Sequence, residues 1–477
     1  MSAADLSPAV LYLVLEWTLR IGALIAVPFR RSPDSARTWL LLMFFLPVPG
    51  LLLYLLFGRP TYPRRRKERL ARARELLNDA AREIAHSKAC RRPQLSQNFS
   101  QAARLIESVG RFPALGGNSI ALNSDYEGVI DALIADIDGA QDHVHILMYI
   151  FADDEVGTRV IEALSRASAR GVSCRVLIDA IGSRPWAQSI LKRLRAAGVT
   201  AETALPVAPW RRGSARADLR NHRKIAIIDG KAAYVGSQNV IRAEAARGIV
   251  NEELVARVTG PVVVELQTVF AVDWFLETDE ILSGSRYFGH LPGPGGTTAQ
   301  VMPSGPDYGE EGLGQLTVAL VHAARERVVI TTPYFIPDAA VLLALRTAAS
   351  RGATVQLIVP HISDNRFVRL AQQSYYSELL EAGVKVHLYR NRFLHSKHLS
   401  IDDDIVLIGS SNIDVRSFVL NAEITLISYD KDVALSLRSE QERCLAASER
   451  LREAEWAARP PATKLAENLA RLISPLL

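Results

Sequence analysis

The chain has little cysteine. Cys90, Cys174 and Cys444 are the only three in 477 residues, and they lie far apart. None belongs to a Cys-x-x-Cys pair, and no histidine–cysteine cluster has zinc-site spacing. That leaves no disulfide framework and no structural metal to organise a fold. It suits a reducing compartment, with each thiol expected as inert packing. Low-complexity sequence is missing from the body, whose composition is globular. A basic surplus spread along the chain is missing too. The net charge of +5 is exceeded by one run alone: Arg59, Arg64, Arg65, Arg66, Lys67, Arg69, Arg72 and Arg74 against Glu68. The remainder is about neutral, which argues against a nucleic-acid partner.

What the chain does have is one motif written twice. His222-x-Lys224-x-x-x-x-Asp229 recurs 173 positions later as His395-x-Lys397-x-x-x-x-Asp402. Gly236-Ser237 and Gly409-Ser410 follow at one offset, and Asn239 and Asn412 at another. Asn251 with Glu253, and Asn421 with Glu423, come next, their offsets differing as a loop permits. A duplicated structural hairpin would keep Gly and Asp for its turn. It would have no reason to keep His and Lys.

The apolar, β-branched run at 225–228 reads as a buried strand. Residues two apart on a strand share a face, so His222 and Lys224 point the same way. Asp229-Gly230 signals a hairpin whose return strand brings Ser237 and Asn239 back toward His222. An ammonium, a hydroxyl and an amide converging there suit the oxygens of a phosphate. Two imidazoles on opposite sides of one phosphorus would supply nucleophile and proton donor. A carboxylate on each second ring nitrogen would fix its tautomer, and Glu253 and Glu423 are the candidates. Ser237, Asn239, Ser410 and Asn412 are the expected phosphate donors. Asp229 and Asp402 complete the motif and are expected to brace the hairpins. No metal is required.

Two apolar segments, 9–27 and 38–57, are each long enough to cross a bilayer, and the basic run follows them. Glu16 and Arg20 lie four apart and can pair, so the first segment may alternatively lie along the interface. The expected order is a membrane hairpin of two apolar helices over 1–58 and a basic helical connector over 59–107. A first half follows over 108–278, a linker over 279–300, a second half over 301–447, and a C-terminal amphipathic helix over 448–477. Each half shows βαβα alternation ending in the motif strands, which implies an α/β fold with a mixed sheet flanked by helices. One helix is expected over 366–382. Arg211, Arg212, Arg216, Arg220 and Arg223 form a possible basic rim at the approach to His222. Gln372 to Tyr376 read as a helix surface, with a pocket wall as the alternative. Leu465, Leu469, Leu472 and Ile473 form a stripe expected to pack on the core, with a membrane surface as the alternative.

The paired motif resembles the phospholipase D superfamily, whose members build one active site from two such copies. More narrowly, the chain resembles bacterial cardiolipin synthases. Met148-Tyr149-Ile150-Phe151, Asp179-Ala180-Ile181-Gly182-Ser183, Thr332-Pro333-Tyr334-Phe335, Asp414-Val415-Arg416-Ser417 and the N-terminal apolar pair carry that likeness. The resemblance implies two tandem phospholipase D-like halves behind a pair of transmembrane helices. It implies a phosphatidyltransferase without a cofactor, with phosphatidylglycerol and cardiolipin as lipid partners and no nucleic acid. It also implies a bacterial inner-membrane location with the catalytic body in the cytoplasm, and His222 as nucleophile. Hydrolysis of the same intermediate by water stays open from the residues alone. So do a nuclease of the same superfamily and a membrane scaffold.

Overall fold

The computed structural model describes residues 7–30, 33–58, 64–93, 95, 97–207, 218–245, 249–289, 293, 295–308 and 312–473. Arg59, Arg211, Arg212 and Arg216, which entered the charge argument above, lie outside the described residues. A 16-stranded mixed sheet runs through the body. In the first half His143–Met148, Ser173–Asp179 and Thr200–Ala204 are parallel. The antiparallel strands Ile225–Ile228, Ala232–Gly236, Val255–Thr259 and Leu115–Asn123 extend them. The second half repeats the plan. Arg327–Thr331, Thr354–Pro360 and Lys385–Tyr389 are parallel, followed by His398–Ile401, Ile405–Gly409, Asn421–Ser428 and Thr297–Ser304. Leu115–Asn123 pairs antiparallel with Thr297–Ser304, so the half-sheets join edge to edge in reversed order.

Both motif strands end in the same turn. Asp229 and Gly230 have φ of 52° and 62°, and Asp402 and Asp403 have 50° and 55°. Two left-handed residues in succession match the right-handed twist of a hairpin. The helix Val263–Thr278 is buried nearly all round and packs beneath the first half-sheet through Leu266, Phe270 and Trp274. Cys174 and Cys444 are buried, and burial pushes their thiols up to about 11 and about 12.

Three expectations about the outer parts need correction. The second apolar stretch is not one helix. It forms Pro33–Phe45 and Pro47–Phe57, parted at Leu46, which leaves helical geometry before Pro47 as pre-proline sterics favour. The second of these, 11 residues, spans roughly 16 Å at ~1.5 Å per residue. The two fold back on each other. Trp39 meets Tyr54 edge-on at 5.2 Å, and a Cβ on Gly50 would come within 3.0 Å of the Met43 backbone. Among the described residues, one helix, Pro8–Ala26, is long and apolar enough to cross a membrane. Arg20 pairs there with Glu16 at 3.1 Å.

Part of the basic run docks on the body, while Lys67, Arg72 and Arg74 stay exposed. Arg66 bonds Glu277 at 2.6 Å and lies 3.7 Å from Asp307, Arg69 pairs with Asp279, and Arg72 sits 5.8 Å from the Phe275 ring. These contacts dock the helix Arg64–Ala85 on Val263–Thr278. The helix expected over 366–382 is two, Arg366–Gln373 and Tyr376–Glu381. Gln372 turns inward to accept the Phe335 N–H at 2.9 Å, and its amide donates to Tyr376 Oη at 2.7 Å, so this stretch is core and not a surface. Three of the four C-terminal stripe residues face outward, the Ile473 side chain lying outside the described ones. Leu465, Leu469 and Leu472 are more than half exposed, while Ala470 and Glu467 are buried. Glu467 points inward because it pairs with Arg459.

Candidate active site

Each motif histidine ends a short bridge to the opposite half. Arg220–Asn221 pairs in parallel with the start of Asn421–Ser428, and the His222 N–H donates to the Ala422 carbonyl at 2.9 Å. In the mirror image Phe393–Leu394 pairs with Ile249–Glu252, and the His395 N–H donates to Glu252 at 2.8 Å. The consequence is a crossed pairing. His222 Nδ1 lies 3.0 Å from both carboxylate oxygens of Glu423, and His395 Nδ1 lies 2.7 Å from Glu253 Oε1. Each half thus supplies the carboxylate that holds the other half's imidazole.

Burial drives both histidines down, His222 to about 4, against the raising effect of the facing glutamate. The lysine of the opposite half lowers each further, Lys397 acting on His222 and Lys224 on His395. Such mutual influence places the two motifs in one electrostatic site. Burial alone would push the glutamates up. The imidazoles they hold and the nearby lysines outweigh it, so both are lowered. At neutral pH each pair is a carboxylate accepting Nδ1–H from a neutral ring, whose Nε2 lone pair is then free.

Lys224 and Lys397 are buried and donate to the carbonyls of His222 and His395. Burial is the largest cause of their fall to about 7 and about 8, which the glutamates partly offset. Tyr149 meets His222 edge-on at 4.7 Å, and the Lys224 ammonium sits 5.1 Å from the Tyr149 ring. Asn239 Oδ1 accepts the Ile150 N–H at 3.0 Å, and Asn412 Oδ1 is buried without a hydrogen-bond partner among the described residues.

The serines stand elsewhere than expected. Ser410 donates to Glu423, and Ser237 donates to the Leu254 carbonyl at 3.2 Å while accepting that residue's N–H at 3.0 Å. Ser237 is close enough to favour the charged form of Glu253, yet its bonds go to the strand. Both hydroxyls are fully buried, with Ser410 committed to Glu423 and Ser237 to the strand at Leu254. Asp229 accepts the backbone N–H groups of Gln141, Asp142 and His143, and Asp402 those of Arg325, Glu326 and Arg327. They pin each hairpin at the end away from its histidine and touch no reacting group.

Two of the expected rim arginines are interior. Arg220 pairs with buried Asp179 at 3.2 Å. Arg223 is fully buried and binds Asp273, the Glu423 carbonyl at 3.0 Å and the Ser304 carbonyl at 3.3 Å, with the Tyr308 ring 4.9 Å away. It clamps the halves together directly beside His222. No sequence signal distinguished it from a loop arginine. Ser417 and Asn421, which also contact Glu423, sat inside quoted stretches without an assigned role. Among the described residues no group of three or more His, Cys, Asp or Glu side chains is arranged to hold a metal ion.

Comparison with known proteins gives this geometry a family. The family model described as cardiolipin synthase, PLD-like domain matches residues 133–274 and 317–445. The chain belongs to this family. A second model, described as phospholipase D-nuclease N-terminal, matches residues 19–59. The cardiolipin synthase A of Pectobacterium atrosepticum is 34% identical over 481 residues, covering 97% of each chain. That of Yersinia pseudotuberculosis serotype O:1b is 35% identical over 479 residues, again covering 97% of each. Among solved structures, a phosphatidylserine synthase from Haemophilus influenzae superposes with a TM-score of 0.61 at 14% identity. It covers 79% of this chain and 100% of its own, and supports the paired-half fold alone. Cardiolipin synthase family membership, the α/β architecture and an apolar N-terminal helix suited to membrane association are thereby consistent with one another.

Proposed function

We propose that the protein is a cardiolipin synthase that joins two phosphatidylglycerol molecules into cardiolipin and glycerol through a phosphatidyl-histidine. The crossed His222–Glu423 and His395–Glu253 pairs are the observation that carries this reading. They give two carboxylate-held imidazoles, one from each half, with a buried lysine beside each on its own motif strand. His222 Nε2 attacks phosphorus, a P–N bond forms and the P–O bond to glycerol breaks. His395 gives its Nε2 proton to the departing oxygen. Neutral His395 then takes the proton of the second lipid's glycerol hydroxyl, whose oxygen attacks phosphorus as the P–N bond breaks. The phosphate anion, on arrival, restores full charge to Lys224 and Lys397 and favours the imidazolium on His395. The NH2 groups of Asn239 and Asn412 are the neutral donors to its oxygens.

The catalytic body lies at the cytoplasmic face of a bacterial inner membrane in this reading. Three features support it: the exposed apolar faces of the N-terminal helices, the outward Leu465, Leu469 and Leu472, and the basic run after the last apolar helix. The arginines act as a topological signal during insertion, before they dock on the body. A reporter fused after Arg74 is expected on the cytoplasmic side, and a periplasmic signal would reverse this. For the reaction, the purified chain is given phosphatidylglycerol in mixed micelles and the products are resolved by mass beside His222→Ala. Cardiolipin with equimolar glycerol is expected. Phosphatidic acid as the sole product would replace synthesis by hydrolysis.

A further inference from the structure

The two halves are near copies, yet the two orienting carboxylates are not held alike. Glu423 receives Ser410, the Ser417 hydroxyl at 3.1 Å, the Asn421 amide at 3.4 Å, and His222 on both oxygens. Glu253 receives His395 on one oxygen, with Ser237 nearby but bonded to the strand, and its Oε2 is buried without a hydrogen-bond partner among the described residues. The cause is local. Five residues after Asn412 the second half has Ser417, which Asp414 fixes by capping the Ser417 N–H at 2.7 Å at the start of Val415–Val419. Five residues after Asn239 the first half has Glu244, exposed on the strand Glu244–Ala245.

We propose that Ser417 is the positioning residue that makes the two imidazoles inequivalent: by donating to Glu423 it fixes His222 as the attacking base, and its absence opposite Glu253 leaves His395 to carry the proton. This rests on the histidine roles proposed above. A carboxylate whose lone pairs are taken by several donors keeps less charge for the ring it faces. The ring is then held neutral, as a nucleophile must be. A carboxylate with a vacant oxygen holds an imidazolium more firmly, as a proton shuttle requires. The charged groups facing His222 are Glu423, Lys224 and Lys397, with the Tyr149 ring at its edge. A change at Ser417 reaches His222 through Glu423, to which Ser417 donates, and not through the lysines or Tyr149.

The test compares full-length wild type and Ser417→Ala in phosphatidylglycerol micelles, with kcat/KM measured from about pH 4.5 to 7. Removing the donor returns charge to Glu423, and His222 then binds its proton more tightly. The acid limb is expected to move up by about half a unit to one unit. Activity at about pH 4.5 relative to about pH 7 then falls ~1.5- to 3-fold more in the variant than in wild type. Quenched variant is also expected to carry part of its phosphatidyl label on His395. An unmoved limb overturns the proposal, whether or not the rate falls, because a merely structural serine would lower the rate at every pH. Should Ser417→Ala fail to accumulate, Asn421→Ala removes the other donor peculiar to Glu423 and reads the same limb. Wild type that makes no cardiolipin would instead defeat the proposed function, a separate outcome.

Discussion

The first and second halves of this protein agree where the backbone must be built and diverge where the chemistry must be split. Both place His-x-Lys on the approach to a hairpin, close the hairpin with two left-handed residues, and pin it through an aspartate accepting three backbone N–H groups. Counted from those motifs, Glu244 in the first half corresponds to Ser417 in the second, and aligning Met148-Tyr149-Ile150-Phe151 with Thr332-Pro333-Tyr334-Phe335 sets Tyr149 against Pro333. The Tyr149 ring lies against His222, whereas His395 meets Phe393 at 5.9 Å from its own bridge strand. In the proposed reaction, duplication supplies two imidazoles on one phosphorus. A few unduplicated side chains tell them apart.

Substituting the same position in both halves breaks or sharpens this comparison. The largest effect is expected from the histidines. His222→Ala should lower kcat by about 10⁵-fold or more with any headgroup, as loss of a covalent nucleophile does. His395→Ala should match it with a glycerol leaving group but recover ~10²-fold or more with a nitrophenyl phosphodiester, which needs no proton. Equal recovery in both variants would mean the halves do not divide the work. The glutamates come next. Glu423→Gln and Glu253→Gln should each cost about 10³- to 10⁴-fold in kcat with little change in KM, because the ring loses its tautomer control. Because the pairing is crossed, the labelling defect from Glu423→Gln should appear on His222, in the opposite half.

Smaller effects come from charge and scaffold. Lys224 and Lys397 titrate at about 7 and about 8 in the free protein, so their ammonium charge is present below those values and lost above them. kcat/KM for the anionic lipid should therefore fall as pH rises through about 7 to 8, and Lys224→Met should remove the lower step. An alkaline limb that stays unchanged in Lys224→Met would assign that step elsewhere. The least effect on chemistry is expected at the turns. Asp229→Ala and Asp402→Ala each leave three backbone N–H groups without an acceptor. Each should cost about 1–3 kcal/mol of stability, read as a lowered Tm, with kcat of the folded fraction within about threefold of wild type. A selective loss of kcat in either would give its aspartate a chemical role.

The repeat, its hairpins and the roster of polar residues were legible because spacing on a strand fixes which side chains share a face. Which glutamate meets which histidine was not, since the bridges Arg220–Asn221 to Asn421–Ser428 and Phe393–Leu394 to Ile249–Glu252 join chain segments far apart in sequence. Arg220 and Arg223 looked like loop arginines because their partners, Asp179 and Asp273, lie tens of residues away. Composition also misled at the ends. Hydropathy reads 38–57 as one apolar run, while Pro47 and the Gly50 contact fold it into a short helical hairpin. The leucine stripe near the C-terminus was sound as a pattern, but Glu467 and Ala470 decide which face turns inward.

The most direct test is a count. Full-length protein is mixed with phosphatidylglycerol, quenched within a turnover and weighed intact under conditions that preserve the P–N bond. One phosphatidyl group per chain, located on His222, is expected whatever the lipid excess. Two groups per chain, one on each histidine, would mean two independent sites and would contradict a shared phosphorus.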